Sequence, residues 1–453
     1  MGTLATLFGT DGVRGVANVE LTPELAFRLG RAAAAVMLER TTRPFALIGR
    51  DTRRSGTLLE SALAAGIASV GLDVRLLGVV PTPGVAYLTR KTQAAFGVVI
   101  SASHNPPADN GIKFFGADGF KLPDEDEERI EALVLGGKVE AADDLPRPRG
   151  DAVGQVAPAG ELVEEYVAFL ENSAGVRLDG MRIVVDCAFG AAAAVAPAVL
   201  RRLGADVIAL HDELDGLRIN VECGSTHPEK LQAAVLEHRA DLGIAHDGDA
   251  DRVILVDETG RVVDGDVIMT ICGTYLHERG RLRGGAVAAT VYSNLGLKMA
   301  LGRRGIRVVE TPPGDRSVLM AMLEHGLALG GEQSGHIIFL DYNTTGDGVL
   351  SALQVLRVVR ELGKPLSALA ADFEPVPQLL VNVRVRDKAA FAGNETIQKA
   401  IAEARAELGD SGRLFVRPSG TEPLIRVMGE STDAERLQAV VNRIAKLIEA
   451  ELA

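Results

Sequence analysis

The sequence predicts an α/β protein, with three similar α/β blocks followed by a smaller carboxyl-terminal α+β domain. Short apolar runs alternate with helical patterns along most of the chain, which is typical of parallel strands that helices cover on both faces. The last roughly 75 residues alternate differently and favour an α+β unit. With 453 residues, 47% of them apolar, and roughly 100–200 residues per domain, the chain can build several cores.

The first block opens with a clear helix signal. Thr22 is the predicted N-cap and Pro23 occupies the first turn of a helix that runs to about Arg40. A polar segment with three prolines, residues 137–160, is predicted to be a linker. The other elements predicted here are a strand at 45–49, a helix at 56–70, and strands at 73–78 and 95–101.

The later blocks repeat the alternation. A third block is predicted to begin near Val262, and residues 371–378 read as another linker. We predict strands at 182–186, 206–210, 242–246, 286–290, 306–310, 379–386, 413–417 and 424–428, and helices at 161–172, 390–407 and 432–450. The predicted domains span residues 1–150, 158–256, 257–370 and 375–453.

Composition excludes several classes of protein. The net charge of −13 and the 4% aromatic content argue against a nucleic-acid or membrane-surface binder. No apolar run reaches the roughly 18 residues of a transmembrane helix, and no signal peptide is expected. The three cysteines are too few and too scattered for a disulfide framework or a CxxC zinc site. We therefore expect a cytoplasmic protein.

The loop at 101–115 follows an apolar strand and displays Ser103 beside His104. Because Pro106 and Pro107 disfavour a continuing helix, the serine is predicted to lie on a constrained turn. A serine displayed in this way can act as a nucleophile. A Ser/Asn turn that only satisfies backbone groups explains the segment equally well.

The loop HDGDADR at 246–252 carries three alternating carboxylates, Asp247, Asp249 and Asp251. Carboxylates this close repel each other unless a cation lies among them, and hard oxygen ligands select Mg²⁺ or Ca²⁺. A solvated acidic turn is one alternative. An EF-hand is another, since Glu258 falls at loop position 12, but Arg252 replaces its glycine and the flanks resemble strands.

Two further loops offer ligand-binding groups. GGEQSGHIIF at 330–339 suits a polyhydroxylated ligand, and RPSGTEPLIR at 417–426 suits an anion bound by backbone N–H groups, hydroxyls and arginines. Ordinary structural turns remain alternatives for both. The candidate residues are Glu332, Ser334 and His336 in the first, and Arg417, Ser419, Gly420, Thr421 and Arg426 in the second.

Taken together and in order, these segments resemble the α-D-phosphohexomutase superfamily over nearly the whole chain. GGEQSGH and CGSTHPE favour its glucosamine branch over the phosphomannomutase and phosphoglucomutase branch. The segments that carry the resemblance are FGTDGVRG (8–15), SASHNP (101–106), DNGIKFF (109–115), CGSTHPE (223–229), DGDADR (247–252), SNLGL (293–297), GGEQSGH (330–336) and RPSGTEP (417–423).

The resemblance implies four domains around a central cleft, with mixed, mostly parallel sheets in the first three. It also implies that Ser103 carries a phosphoryl group and binds one Mg²⁺ together with Asp247, Asp249 and Asp251. The remaining roles follow from the matching positions: proton transfer by His104 and Lys113, support of the phosphoserine charge by Arg14 and Arg252, sugar contacts by Glu332 and Ser334 with His336 nearby, and phosphate binding by residues 417–426.

The implied reaction interconverts hexosamine 6-phosphate and 1-phosphate through a sugar 1,6-bisphosphate, which also acts as activator. Its product feeds UDP-N-acetylglucosamine and cell-wall precursor synthesis. The implied partner is a small hexosamine phosphate, with no nucleic acid or membrane, and relatives suggest a homodimer. The chain departs from the family at Phe189, where asparagine is usual, and at Pro312, Pro313 and Ser317 in the third-domain loop.

Three alternatives remain open at this point. The same chemistry could serve a phosphoglucomutase or phosphomannomutase. The same loops could serve a Mg²⁺-dependent sugar phosphatase, or a module that binds Ca²⁺ or a sugar phosphate without catalysis.

Overall fold

A computed structural model describes residues 7–9, 11–41, 43–136, 145–419 and 423–452. The chain divides into two compact units. The first contains the residues up to Tyr292 together with Val308–Ala371, and the second contains Ser293–Arg307 together with the residues from Asp372 onward. Each unit has its own core and is described by itself.

The first sheet contains six strands: β1 (Val13–Val16), β2 (Phe45–Arg50), β3 (Asp73–Val79), β4 (Phe96–Ile100), β5 (Asp109–Gly116) and β6 (Val156–Pro158). Their order is β1-β5-β4-β2-β3-β6. β2 runs parallel to β3 and β4, whereas β5 is antiparallel to β4 and β1. The sheet is mixed, as expected, and β5 runs antiparallel to β4 because the connection between them is too short for a crossover.

The predicted linker at 137–160 is partly wrong. Its first eight residues, 137–144, lie outside the described residues. Near its end, β6 pairs in parallel with β3 and extends the first sheet. Pro158 fits there because a strand at the edge of a sheet tolerates a residue without an N–H donor.

Helices α1 (Pro23–Leu38), α2 (Gly56–Ala68), α3 (Thr82–Lys91) and α4 (Asp124–Leu135) belong to the first block. The Thr22 hydroxyl accepts the N–H of Leu25 at 3.3 Å, which confirms the predicted N-cap. α1 and α2 pack at glycines: a Cβ on Gly66 would lie 2.2 Å from the Phe27 carbonyl oxygen. This close packing explains why both helices are rich in alanine and glycine.

The second sheet contains β7 (Arg182–Asp186), β8 (Asp206–Leu210), β9 (Leu242–His246), β10 (Val253–Asp257) and β11 (Val262–Val263), and its helices are α5 (Val163–Ala174), α6 (Ala196–Arg202) and α7 (Glu229–His238). The order is β11-β10-β9-β7-β8, with β7 parallel to β8 and β9 and with β10 antiparallel to β9. Val262 therefore closes the second sheet and does not begin the third block. A turn stabilised by Asp257, which accepts the N–H groups of Thr259 and Arg261, folds β11 back on β10.

The third sheet contains β12 (Ala286–Thr290), β13 (Arg307–Thr311), β14 (Leu329–Gly331) and β15 (Ile337–Phe339), and the helices of this region are α8 (Gly265–Glu278), α9 (Leu295–Gly302), α10 (Asp315–His325), α11 (Gly348–Leu362) and α12 (Leu366–Ala370). Its order is β13-β12-β14-β15. β12 is parallel to β14, and β15 returns antiparallel to it. The loop between β14 and β15 is the segment singled out as a sugar-binding candidate.

The second unit contains α9, the strands β16 (Gln378–Arg384), β17 (Gly412–Pro418) and β18 (Leu424–Ser431), and the helices α13 (Ala390–Gly393), α14 (Glu395–Leu408) and α15 (Ala434–Leu452). Its strands are antiparallel in the order β16-β18-β17. The single helix predicted at 390–407 is two helices, because the Asn394 side chain accepts the N–H of Ile397 and caps a new helix.

The predicted fold class is confirmed: mixed, mostly parallel sheets alternate with helices, and a small antiparallel domain follows. The three cysteines are buried and free. Across the described parts of the chain, the structure contains no helix with the length and apolar character needed to cross a membrane.

Candidate active site

The loop after β4 places Ser103 at the carboxyl edge of the first sheet. Ser103 is 1% exposed, and its φ of 53° lies in the left-handed region that residues other than glycine rarely adopt. Its hydroxyl donates to Asp247 Oδ2 at 2.6 Å, and His104 Nδ1 lies 3.3 Å from Ser103 Oγ. The predicted constrained turn is therefore present, and it aims the hydroxyl at the acidic loop.

The acidic loop joins β9 to β10, two adjacent strands of the second sheet. Asp247, Asp249 and Asp251 are 1%, 1% and 6% exposed. One carboxylate oxygen from each lies within 4.8 Å of the others, so the three can share one cation. The EF-hand alternative is wrong, because strands flank the loop and Glu258 accepts the N–H of Ser367 instead.

The polar atoms of this loop fit a hard cation. Lys113 Nζ lies 3.2 Å from Asp249 Oδ2, and Thr82 Oγ1 donates to the same oxygen at 2.7 Å. The opposite oxygens, Oδ1 of Asp249 and Oδ1 of Asp251, are buried and have no hydrogen-bond partner among the described residues. Buried carboxylate oxygens without donors are costly, and a bound Mg²⁺ would satisfy them.

The charges of the acidic loop also favour a bound cation. Burial raises the pKa of Asp247 well above its usual value, and the charges of Asp251 and Asp249 raise it further. Burial alone would lower the pKa of the Lys113 ammonium, but Asp249 and Asp251 outweigh it and raise that pKa, so Lys113 stays charged. Burial and mutual repulsion therefore disfavour charge on all three aspartates at once, and a bound cation would relieve both effects.

Two arginines lie beside these groups. Arg14, on β1, donates to Asp11 Oδ2 at 3.0 Å, and Arg252 Nε is 3.8 Å from Asp251 Oδ1. The Nε atoms of both arginines are buried without a hydrogen-bond partner among the residues that the structure describes. Burial, followed by the charges of Arg252 and Arg14, lowers the pKa of His104, so its imidazole is neutral near pH 7.

The loop between β14 and β15 packs against the acidic loop. Val253 N–H donates to the Gly335 carbonyl at 3.1 Å, and His336 Nδ1 lies 3.5 Å from Asp251 Oδ2. His336 is buried, Ser334 is exposed, and Glu332 is intermediate and accepts the N–H of Gly314 at 3.2 Å. The first three candidate loops are thus brought together within the first unit.

The fourth candidate loop belongs to the second unit, at the turn of the β17–β18 hairpin. Arg417 and Arg426 are paired across that hairpin. Ser419 N–H donates to the Leu424 carbonyl at 2.8 Å, and Lys388 Nζ donates to the Ser419 carbonyl at 2.9 Å. Gly420 and Thr421, also predicted for this site, lie outside the described residues.

Three residues that contact the site were not singled out from the sequence: Thr82, Arg53 and Asn220. Thr82 bonds to Asp249, while Arg53 and Asn220 both donate to the Ser103 carbonyl oxygen. For Thr82 a signal was present, because it follows the parallel strand β3 and so lies at the same sheet edge as Ser103. For Asn220, which is 117 residues from Ser103, no local pattern indicated the contact.

Comparison with known proteins identifies the class. Models of the phosphoglucomutase/phosphomannomutase family match nearly the whole chain: alpha/beta/alpha domain I at residues 5–139, domain II at 164–260, domain III at 264–376 and the C-terminal domain at 380–447. The chain belongs to this family, which confirms the resemblance seen in the sequence motifs.

Individual relatives are similar to this chain over nearly its whole length. A phosphoglucosamine mutase of Heliobacterium modesticaldum is 56% identical over 454 residues, covering 98% of this chain and 99% of the relative. One from Desulforudis audaxviator is 57% identical over 445 residues and covers 98% of each chain.

Solved structures share the fold. A phosphoglucomutase/phosphomannomutase family protein from Burkholderia thailandensis aligns with a TM-score of 0.83 at 23% identity, over 99% of this chain and 98% of that one. The N-acetylphosphoglucosamine mutase of Aspergillus fumigatus, solved with GlcNAc-6P and magnesium, aligns with a TM-score of 0.70 at 19% identity, over 99% and 96%.

Proposed function

We propose that this chain interconverts glucosamine 6-phosphate and glucosamine 1-phosphate, through a phosphoserine at Ser103 and a glucosamine 1,6-bisphosphate intermediate. It is an isomerase of the phosphohexomutase class. The observation that carries the proposal is the hydrogen bond of 2.6 Å from the Ser103 hydroxyl to Asp247, inside a buried acidic triplet. Full-length relatives at 56–57% identity that are called phosphoglucosamine mutase support the choice of sugar.

The acidic triplet supplies the ligands for one Mg²⁺. Asp247, Asp249 and Asp251 would hold it together with an oxygen of the phosphorylated Ser103. When bound, the ion neutralises charge on the oxygens of the phosphoryl group. Phosphoserine adds about −1.5 to −2 charges, and the buried Nε donors of Arg14 and Arg252 are available to share that load.

The reaction requires two balanced transfers. In the first, the free sugar hydroxyl attacks the phosphorus, the bond between phosphorus and Ser103 Oγ breaks, and the hydroxyl proton passes through a base to Oγ. After the bisphosphate has reoriented, Ser103 Oγ attacks the other phosphorus, the bond between that phosphorus and the sugar oxygen breaks, and the Oγ proton passes through the base to that sugar oxygen. His104, 3.3 Å from Ser103 Oγ, and Lys113 are the candidates that carry this proton.

Binding of the sugar is assigned to the other loops. Glu332 and Ser334 would contact hydroxyls that exchange places when the bisphosphate turns over, with His336 behind them. Arg417, Ser419, Gly420, Thr421 and Arg426 would hold the phosphate that is not reacting. The support for this second group is the resemblance of RPSGTEP to the family motif.

Domain limits, assembly and location are also part of the proposal. We propose four domains, but the first sheet reaches Pro158 and the second reaches Val263, so the limits expected at 150 and 256 move to about these residues. We also propose a homodimer, and a cytoplasmic location that suits three free, buried cysteines. Light scattering of the purified chain tests the dimer, and a mass of one chain would contradict it.

The deciding experiment is Ser103→Ala, with Ser69→Ala, at the half-buried serine just after α2, as a control. Ser103→Ala should abolish mutase activity and remove the mass of about 80 Da that phosphatase treatment removes from the wild type. Ser69→Ala should change neither. Retained activity in Ser103→Ala would reject the phosphoserine, and free phosphate release without isomerisation would favour the phosphatase alternative.

A second measurement tests the sugar. Turnover of glucosamine 6-phosphate should exceed that of glucose 6-phosphate when both are assayed with the corresponding 1,6-bisphosphate. A clear preference for glucose or mannose phosphates would instead assign the chain to the phosphoglucomutase and phosphomannomutase branch.

A further inference from the structure

We propose that Arg53 and Asn220 are positioning residues that hold Ser103 in its left-handed backbone conformation, ready for phosphoryl transfer. This inference rests on the proposed function, because it assigns a task to groups that surround the phosphoryl acceptor. Both residues donate to one atom, the carbonyl oxygen of Ser103, each at 2.9 Å. They reach it from two different connections, Arg53 from the one after β2 and Asn220 from the one after β8.

Arg53 is a fully buried cation that binds the carbonyl oxygens of the serine loop. Its side chain is 0% exposed. Nη2 donates to the carbonyls of Ser103 at 2.9 Å and Asn105 at 2.7 Å, while Nη1 donates to that of Asp109 at 3.0 Å and to that of Pro106. A planar guanidinium can serve several carbonyls at fixed angles, which a lysine ammonium cannot.

The counter-ion of Arg53 continues the network to the other side of Ser103. Asp51 accepts Arg53 Nε at 2.9 Å and the Ser101 hydroxyl at 2.5 Å. The Ser101 oxygen in turn accepts the N–H of Ser103 at 2.9 Å. Side chains therefore fix both backbone polar groups of Ser103, its carbonyl and its N–H.

Asn220, in the second block, also binds carbonyl oxygens of the serine loop. Its Nδ2 donates to the carbonyls of Ser103 at 2.9 Å and Asn105 at 3.3 Å. Its own N–H donates to the Ala188 carbonyl at 3.0 Å. A Cβ at Gly248, in the acidic loop, would lie 2.5 Å from the Ser103 carbonyl oxygen, so only glycine leaves room for this contact.

Buried Asp186 anchors the segment that carries Asn220. It accepts the N–H of Ala188 at 2.9 Å, that of Gly224 at 3.0 Å, and His211 Nδ1 at 3.0 Å. Two connections of the second sheet, the one after β7 and the one after β8, are thereby tied to the end of β7. The segment that carries Asn220 is therefore held in place by hydrogen bonds to Asp186.

The hydrogen bonds to the Ser103 carbonyl oxygen matter because the backbone conformation that they hold is intrinsically unfavourable for serine. A left-handed residue with a Cβ persists only where its surroundings over-determine it. Released, the loop would relax toward ordinary backbone angles and carry Oγ away from Asp247. Phosphoryl transfer depends on positioning, and a displacement of about 1 Å can cost about 100-fold in rate.

The test measures phosphorylation of the dephosphorylated, full-length protein by glucosamine 1,6-bisphosphate with Mg²⁺, followed by intact mass, together with kcat and KM. The variants are Asn220→Ala and Arg53→Lys. The matched controls are Asn18→Ala, an exposed asparagine that is also left-handed, and Arg54→Lys, the exposed neighbour of Arg53. Asn220→Ala leaves no charge unpaired, so it decides the question even where Arg53→Lys fails to fold.

We expect Asn220→Ala and Arg53→Lys to lower kcat and the phosphorylation rate by about 10- to 100-fold, with KM within about twofold and the controls near wild type. A merely structural role would lower the amount of folded enzyme without slowing phosphorylation of the folded fraction. Wild-type rates in folded Asn220→Ala would overturn the inference while the function stands. Failure of the wild type itself to become phosphorylated on Ser103 would overturn the function and the inference together.

Discussion

Thr82 should determine how well the acidic loop binds Mg²⁺, although it is not itself a proposed ligand. Its hydroxyl donates to Asp249 Oδ2 at 2.7 Å, and its N–H donates to the Asp249 carbonyl at 3.0 Å. The first contact occupies Oδ2 and leaves Oδ1, which has no hydrogen-bond partner among the described residues, for the proposed cation. Thr82→Val keeps the shape of the side chain and removes only the hydroxyl.

The size of the effect follows from the environment. Thr82 is 2% exposed and Asp249 1% exposed, so water cannot replace the lost donor. A hydrogen bond to a charged group is worth about 1.5–3 kcal/mol, and about 1.4 kcal/mol is tenfold in an equilibrium constant. Substitution of residues that orient metal ligands commonly weakens metal binding by about 10- to 100-fold. Both estimates predict that Thr82→Val requires about 10- to 100-fold more Mg²⁺ for half-maximal activity.

The assay is mutase activity against Mg²⁺ concentration, with the melting temperature as a check on folding. Thr89→Val is the control: Thr89 is equally buried on the same helix, but its hydroxyl bonds to the Val85 carbonyl. A similar melting temperature for the two variants, with a changed Mg²⁺ requirement only in Thr82→Val, is the expected result. An unchanged or lower Mg²⁺ requirement in Thr82→Val would refute the reasoning.

Two further predictions concern buried titratable groups. Burial raises the pKa of the Cys223 thiol to about 12, so DTNB near pH 8 should label no cysteine rapidly in the native protein and all three in denaturant; fast native labelling would contradict this. Burial raises the pKa of Asp347 to about 6 from 3.8. Because the folded state then binds the proton more tightly, stability is lost as pH rises between these values, by about 2 kcal/mol from about pH 4.5 to 7. Asp347→Asn should remove that pH dependence from the unfolding free energy, and an unchanged slope would disprove the assignment.

Sequence signals within a few residues were enough to predict elements, such as helix starts, that depend only on neighbouring residues. Thr22 followed by Pro23 marks a helix start whatever the rest of the chain does, and the structure has it. Pairing is different, because the sheet to which a short strand adds depends on contacts distant in sequence. Val262 pairs with Val256 and ends the second sheet, and Val156 pairs with Val74 inside a predicted linker. Neither partner can be read from the neighbouring residues.

The same division applies to the site. Ser103 and the three aspartates stand out because their spacing is chemically unusual within a few residues. Arg53 lies in GRDTRRSG, an ordinary polar turn by composition, and its importance comes from four carbonyl groups that lie 50 to 56 residues away. Groups that perform chemistry leave a local pattern, whereas groups that hold them in place act across the fold.

The structure gives His336, which the sequence motif identified, contacts that the motif did not predict. Its Nε2 accepts the N–H of Gly346 at 3.1 Å, so the proton of the neutral ring lies on Nδ1, which is 3.5 Å from Asp251 Oδ2. The histidine is 2% exposed, and a Cβ on Gly346 would lie 2.5 Å from its ring. The ring is therefore held in one orientation between the two loops. Because it contacts a carboxylate of the acidic loop and lies two residues from Ser334, we expect a shift of the loop between β14 and β15 to move Asp251 as well.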